Sequence, residues 1–575
     1  MKFRIVLGGQ EIHLGNGELH FTGYINHNKH LLYDEQAAGV LNGILESQSV
    51  EMLLSGINGA FRLIYRKDDT IYFSVDHFGG FSLFYTIGKD CFEILDNPLY
   101  SVHKGDLDDV QICSLMAAGF TIGEGTFFEN IRECLPGTLY KYDSGSGKLE
   151  SQKWFEYLST NEKTLDAEEL LSIAETLFPE TDNGQYTLSL SGGIDSRFLL
   201  GCLLQKSRPF QTFSFGAEYN QDKHLAAILA KEYGFPNQQH SFTPDLCKDY
   251  YGKDDLDFII RHCSIGRSLP NETDLISSAL LNHSQNIIVK GFGGDWLTGR
   301  YITPALHKIE STAQMNRYLF DKYFGLTCRS SKAFTNAIRE QFEVSLNRDY
   351  YPKHPSLISA AEQWNQHHNE RKYIINTLAC YKAASLRHKP QSGSANFRFY
   401  LPFYDRNLMH YFSQVRFSEK TDQNGYFRFL RDSFFTGKLT KLKELPTLRR
   451  NFLAPVKPSL RQTGKDLMHS IIRNMDRQKI RKKYVKPHLA EYADFLMLFN
   501  HNIELKPFLR RSIGENYPEA EAVAVFLREA DCFEASDHVK WLISQQTAQI
   551  NLNGLSLCKF FFNDLFISYL REHLT

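Results

Sequence analysis

The chain has 575 residues, enough for two to four domains at ~150 residues each. Hydrophobic residues make up 42 % and charged residues 23 %, with 44 Phe and 29 Tyr against 4 Trp, which excludes a disordered chain. A formal net charge of −1 excludes bulk electrostatic attraction to nucleic acid or to an acidic membrane.

Residues 1–150 read as β structure. Short apolar or alternating segments at Lys2–Leu7, Ala60–Tyr65, Thr70–Val75 and Phe81–Tyr85 are separated by Gly, Asn and Asp clusters. A further strand is predicted at Gly137–Tyr142, closed by the Asp-Ser-Gly-Ser-Gly turn at 143–147. The pattern implies a sandwich of antiparallel sheets with a few helices. From about residue 160, strands alternate with helices. A helix near 166–177 precedes a strand Gln185–Leu190, a helix starts at Ser196, and a strand Gln211–Phe215 leads to a helix from Asp222 through Gly234. The strand Gln239–Phe242, two helices and the strand Asn286–Lys290 follow. Such alternation implies a doubly wound parallel sheet. Beyond residue 300 the chain reads as mostly helical, with breaks at Pro352, Pro355, Pro390, Pro402 and Pro446.

Ten cysteines are scattered between Cys91 and Cys558, none in a CxxC pair or a zinc-like spacing with His, and read as free buried thiols. The apolar run in the N-terminal MKFRIVLGGQ is too short for a signal peptide. No run of about 18 apolar residues suggests a membrane span. A cytoplasmic location is expected.

The most informative segment is Ser191-Gly192-Gly193-Ile194-Asp195-Ser196, set between a buried strand and a helix. Two glycines permit close backbone approach. Amides at a helix start, backed by the helix dipole, suit a phosphate chain. Ser191 and Ser196 add hydroxyls, and Asp195 offers a hard oxygen for Mg²⁺. The segment lacks both GxxxxGK[ST] and GxGxxG, so it is neither a Walker loop nor a dinucleotide fingerprint. It resembles the pyrophosphate loop of ATP pyrophosphatases. A second glycine-rich loop, Gly291-Phe-Gly293-Gly294-Asp295, also follows a strand at the carboxyl edge of the sheet. Asp295 is expected across from Asp195, giving two carboxylates for a metal on the phosphates; the plainer reading is a turn with a capping Asp.

Together these motifs resemble the asparagine synthetase family. Its Ser-Gly-Gly-x-Asp-Ser, Phe-Ser-x-Gly and Asp-plus-Ala-helix motifs match Ser191–Ser196, Phe213–Gly216 and Asp222 with Ala226 and Ala227. Its Ser-Gly-Glu-Gly-Ser-Asp-Glu loop matches Lys290–Trp296, its Pro-Phe-Leu-Asp matches Pro402–Asp405, and its Leu-Arg is found at Leu430-Arg431. Arg449-Arg450-Asn451-Phe452 with Pro455 is similar to its Arg-x-Lys-x-x-Phe-x-x-Pro segment. Gly23–Asn26, Gly59–Phe61, Asp76–Gly79, Thr126–Ile131 and Leu135–Gly137 resemble its glutaminase domain.

The resemblance implies an Ntn-type, glutaminase-like antiparallel β sandwich over residues 1–157. An α/β, doubly wound ATP-pyrophosphatase domain over 158–575 follows, with a helical C-terminal extension. It implies ATP and Mg²⁺ as cofactors, and acid activation as an adenylate. Asp195 and Asp295 are the implied metal ligands. Ser189, Ser191, Gly192, Gly193, Asp195, Ser196, Phe215 and Gly291 are the implied ATP and pyrophosphate contacts. Arg449, Asp195 and Asp295 are the implied catalytic residues.

Departures narrow this reading. Position 2 is Lys2 where glutamine-hydrolysing members carry a cysteine nucleophile, so no glutaminase activity is expected. Phe292 stands where asparagine-forming members use Glu to handle ammonia, Trp296 replaces the last Glu of the loop, and Arg398 takes an acid position. Arg449 replaces the catalytic Lys; it stabilises developing phosphate charge but does not shuttle a proton. Members with a degenerate N-terminal domain include β-lactam synthetases and lasso-peptide macrolactam synthetases. By that resemblance the favoured amine lies on a peptide or amino-acid substrate, with a precursor peptide and its processing or delivery proteins as partners. Asparagine formation from supplied ammonia, amidation of another small acid, and a non-enzymatic ATP-binding scaffold are the alternatives.

Three further features stay open. Lys438–Lys486 holds 15 Lys or Arg against Glu444, Asp466 and Asp476, and is either a solvated face or a surface for pyrophosphate or an anionic peptide. His367-His368 reads as a solvated pair rather than a metal site, because adjacent helical side chains diverge. Lys290 either touches phosphate or ends a strand.

Overall fold

The computed structural model describes residues 2–181, 184–206, 208–216, 221–241, 286–324, 332–387 and 398–444, together with Ser277 and Leu281. It is a mixed α/β structure with three sheets. In chain order the first eleven strands are β1 (Lys2–Leu7), β2 (Gln10–Ile12), β3 (Leu19–His27), β4 (His30–Tyr33), β5 (Gly59–Lys67), β6 (Thr70–Val75), β7 (Phe84–Ile87), β8 (Cys91–Leu95), β9 (Arg132–Glu133), β10 (Thr138–Asp143) and β11 (Leu149–Lys153). They form a five-stranded sheet of order β2-β1-β8-β7-β9 and a six-stranded sheet of order β11-β10-β6-β5-β3-β4. Their register is antiparallel except between β1 and β8, which run parallel, a correction to the all-antiparallel expectation. A β1–β8 pairing joins segments more than 80 residues apart, which no local turn signal announces.

The two sheets pack face to face. Phe73 and Tyr140 of one sheet stack at 5.1 Å, and Phe92 of the other stacks on Tyr142 at 3.9 Å. β5 is buried on both faces, as its near-continuous apolar run requires. Ile64 faces the other sheet, while Phe61, Leu63 and Tyr65 face the helices α1 (Asp34–Leu45) and α2 (Val50–Gly56).

The third sheet is parallel throughout. Its strands are β12 (Tyr186–Ser189), β13 (Phe210–Gly216), β14 (Asn237–Ser241), β15 (Ile287–Val289) and β16 (Arg398–Tyr400), in the order β14-β13-β12-β15-β16. Beyond residue 300 the described residues are mostly helical, as expected, and the short strand β16 was not foreseen because three residues are too few to display alternation. The helix after β12, Ile194–Gln205, starts two residues earlier than expected, and places Asp195 in its first turn. It is apolar almost all round because its flanks are covered, so Phe198, Leu199, Leu200 and Cys202 are all buried. The helix Gln221–Tyr233 adds Leu225, Ala226 and Leu229 to the same core. That core continues into the N-terminal sheets through Tyr24, Tyr33, Ala60 and Phe78.

His367 and His368 are a correction as well. Both are buried: Tyr350 Oη and Gln363 Nε2 bond the His367 ring, and the Gly123 amide donates to His368 Nε2. The 120–123 segment of the N-terminal region packs on His368, which the helical pattern alone does not reveal. Among the described residues Cys91, Cys134, Cys202 and Cys380 are in no disulfide. Among the described residues no helix is long and apolar enough to cross a membrane.

Candidate functional site

Strand order fixes where a ligand fits. β13 and β14 lie on one side of β12, and β15 and β16 on the other. The chain therefore reverses direction across the sheet between β12 and β15, and in open α/β sheets the loops leaving the carboxyl ends of the strands at such a point are where ligands bind. Those are the two loops singled out in the sequence. Ser189 ends β12 and Ser191, Gly192, Gly193, Asp195 and Ser196 follow it, Phe215 is the last residue but one of β13, and Gly291 and Asp295 follow β15. Arg449, and the basic stretch beyond residue 444, lie outside the described residues.

The first loop is braced from beneath. The guanidinium of Arg197, fully buried, donates to Gly192 O at 2.7 Å, Gly193 O at 3.3 Å and Leu442 O at 3.5 Å. Burial pulls its pKa down to about 10, against the opposing charge of Asp222. Asp222 accepts the Gly192 amide at 2.8 Å, and Ser191 Oγ accepts the Gly193 amide at 3.1 Å. These two amides are thus already engaged, where the sequence suggested outward-facing donors. Ser196 Oγ bonds Ser191 Oγ at 3.0 Å, closing the turn. Arg197 and Asp222 hold the loop's shape, and neither role is visible in a linear motif.

The second loop presses on the first. Gly293 has φ 85°, and a Cβ there would sit inside contact distance of Tyr404 Cε1. A Cβ on Gly294 would lie 2.5 Å from Asp195 Cγ, so only glycine lets the two loops meet. Asp195 Oδ1 is enclosed and has no hydrogen-bond partner among the described residues. Burial pushes the Asp195 carboxyl well above the usual range, the Asp295 charge adds to this, Arg300 opposes it, and Glu370 adds again. Asp295 is half-buried and paired with Arg300 Nη1 at 3.2 Å.

A third carboxylate, Glu370, escaped the sequence reading. It closes a π-helical turn, Gln366–Glu370, wedged between the helices Leu357–Asn365 and Arg371–Arg387. Such bulges frequently mark functional sites. Tyr301 Oη donates to Glu370 Oε1 at 2.6 Å, and Asn369 Nδ2 lies at 3.4 Å from the same oxygen. Burial lifts the Glu370 pKa to about 7; Tyr301 opposes the rise, Asp295 adds to it, and Lys372 and Arg300 oppose it. The only sequence signal was a charged pair, Glu370-Arg371, inside an otherwise coherent helical pattern.

The positions that depart from the resembled motif are apolar or occupied. Phe292 packs partly buried on the main core, and Trp296 is buried with Nε1 bonded to Glu362 O at 2.8 Å. Arg398 lies over the Tyr33 ring at 5.2 Å. Lys290 is buried, its Nζ over the rings of Phe213, Phe215 and Tyr381 at 5.2–5.6 Å.

The donor set suits a hard cation shared with a ligand. Asp195 and Asp295 offer carboxylate oxygens, the ligand type Mg²⁺ takes, and Asp195 Oδ1 has no hydrogen-bond partner among the described residues. Among the described residues no three His, Cys, Asp or Glu side chains could hold a metal by themselves. An ion here would take its remaining oxygens from phosphate and water.

A comparison with curated proteins gives no match. Among solved structures the chain is similar to a glutamine phosphoribosylpyrophosphate amidotransferase from B. subtilis complexed with ADP and GMP, at 10 % identity and TM-score 0.17 over 49 % of this chain and 56 % of that one. A second, described as the allosteric regulatory enzyme of purine biosynthesis, also gives 10 % identity and TM-score 0.17, over 39 % and 60 %. The chain thus spans less than two thirds of either. The asparagine synthase family model matches residues 181–509, more than half of the 575 residues, so the chain belongs to that family.

Proposed function

We propose that this ligase joins a carboxylate to an amine carried on the same substrate, a peptide closed into a lasso-type macrolactam, through an acyl-adenylate. The observation that carries the reading is the Tyr301–Glu370 pair beside Asp295, combined with Phe292 where an ammonia-handling carboxylate would stand.

In the first half-reaction a substrate carboxylate oxygen attacks the α-phosphorus of ATP, and the bond to pyrophosphate breaks. The Ser191–Ser196 loop, held by Arg197 and Asp222, cradles the departing pyrophosphate. Asp195 and Asp295 would hold Mg²⁺, which supplies charge neutralisation on the phosphates. Arg449 is proposed to stabilise the same charge. In the second half-reaction the amine nitrogen attacks the acyl carbon, and the carbon–oxygen bond to AMP breaks. The amine proton passes to Glu370, whose pKa of about 7 suits a base at neutral pH. Tyr301 fixes the carboxylate's orientation.

A glutaminase step is not part of this proposal. Burial pushes the Cys134 and Cys202 thiols up, the opposite of an activated nucleophile. We divide the chain at residues 157 and 158 into the two sheets that frame the site and the ligase unit.

The test is AMP and pyrophosphate release from ATP and Mg²⁺ with aspartate plus ammonia, aspartate plus glutamine, or candidate peptides. Release with peptide alone, and a product lighter by one water, is the expected result. Turnover with aspartate and ammonia would assign asparagine formation instead.

A further inference from the structure

We infer that the Asp76–Gly79 turn of the N-terminal sheets is a working part of the ligase site, in which Phe78 acts as a positioning residue for the Gly293–Asp295 turn. This rests on the nucleotide-binding reading above and assigns the N-terminal region a role beyond filling space.

The turn is rigid by construction. Asp76 is buried, and its carboxylate accepts four backbone amides: Phe78 and Gly79 at 2.7 Å, Phe61 at 3.0 Å and Gly80 at 3.2 Å. This ties the Phe78 backbone to β5, which carries Phe61, by bonds internal to the N-terminal sheets. Phe78 is wholly buried, and its ring stacks on Tyr404 with centroids 3.5 Å apart and planes 12° from parallel. Its edge meets Trp296 at 5.6 Å and 87°.

Both partners lead directly to the carboxylates. Tyr404 bears on Gly293, the left-handed residue of the second loop, and Trp296 is the neighbour of Asp295. The Tyr404 backbone is tied to the same turn, since His77 Nε2 donates to Tyr404 O at 2.8 Å. A second tie reaches the third carboxylate. Arg371 Nε donates to Gly79 O at 2.8 Å and Arg371 Nη2 pairs with Glu133 at 2.9 Å, and Arg371 is the residue after Glu370. One turn of the N-terminal sheets thus holds the backbone on two sides of the site. Interiors transmit strain because they are close-packed, and a shift of about 1 Å in a reacting group costs on the order of a hundredfold.

A core residue that merely filled volume would change stability and leave ligand affinity alone. The experiment therefore compares Phe78→Leu and Phe78→Ala with Phe92→Leu in the full chain. Phe92 is equally buried but sits between the two N-terminal sheets, stacked on Tyr142. MgATP affinity is measured by calorimetry at a temperature where circular dichroism shows each variant folded. The expected result is a tenfold or greater loss of MgATP affinity in the Phe78 variants and less than a twofold change in Phe92→Leu. Equal affinity in the Phe78 and Phe92 variants overturns the inference. Should the Phe78 variants not fold, hydrogen exchange on the wild-type chain decides. Slower exchange of residues 76–80 on adding MgATP supports the coupling, and protection confined to residues 291–297 overturns it. A wild-type chain that fails to bind MgATP overturns the nucleotide reading, and this inference with it.

Discussion

Gly294 and Asp195 meet where the two site loops cross, and a Cβ on Gly294 would stand 2.5 Å from the Asp195 carboxylate carbon. That distance lies well inside van der Waals contact, and the obstacle is a buried group with little room to yield. Gly294→Ala is expected to displace Asp195 and weaken MgATP binding at least tenfold, with the fold retained. Calorimetry with MgATP, alongside circular dichroism, checks this.

Asp195→Asn separates function from stability. The wild-type carboxylate is enclosed, lacks a partner for Oδ1 and feels Asp295 and Glu370. Burial and the Asp295 charge oppose ionisation of this carboxyl, a cost to the folded state that a neutral amide does not carry. Asp195→Asn is therefore expected to raise Tm in the absence of metal, while AMP release falls about a thousandfold through loss of the charge that would hold Mg²⁺. A lower Tm with activity retained would contradict both halves.

Glu370 gives the pH dependence a sign. Its folded pKa of about 7 is raised by burial, with Tyr301, Asp295, Lys372 and Arg300 facing it. As a base it works only when ionised, so the amide-forming rate should climb as pH rises through about 7. Between pH 4.5 and 7 the folded state keeps a proton that the unfolded chain has lost, so stability falls as pH rises across that window. Glu370→Gln should lose roughly 10²- to 10⁴-fold in amide formation, retain MgATP binding and flatten the Tm change over that range.

Tyr301→Phe removes the 2.6 Å bond that favours the ionised Glu370. The midpoint of the pH–rate profile is expected to move to higher pH, with a smaller loss of rate than Glu370→Gln gives. A midpoint that stays in place would uncouple Tyr301 from the base.

His77 predicts an acid-labile junction. Burial lowers its pKa to about 3, and the Tyr404 carbonyl, which accepts from Nε2, opposes this only in part. From pH 6.5 down towards 3 the unfolded chain binds a proton that the folded imidazole does not. Stability is thus lost as pH falls, by up to about 1.4 kcal/mol per pH unit for this one group. The drop in Tm between pH 7 and pH 5 should be smaller in His77→Asn, as scanning calorimetry would detect.

Much of the site was legible in the linear chain because its chemistry is local. A strand running into Ser191–Ser196 and then a helix is set by glycine, serine and apolar spacing within a dozen residues; the structure shortens the strand by one residue at each end, starts the helix two residues earlier and engages the Gly192 and Gly193 amides within the protein. The alternation of strands and helices likewise announced a parallel sheet, and Asp295 was singled out from its glycine-rich loop. The short strand β16 and the parallel β1–β8 pair were not legible, since three residues show no period and pairing at long range leaves no local mark. The surroundings of His368 include a segment some 245 residues away.

By itself, then, the sequence determined the two glycine-rich loops and the family they resemble, because backbone freedom at glycine and hydrophobic period act over short range. Only the tertiary structure brought Glu370 to Tyr301 across 69 residues and Phe78 to Tyr404 across more than 300. Contacts of that separation form when whole sheets and helices dock and exclude water. Their partners are fixed by the shape and burial of the assembled core, and no pattern in either segment carries that information.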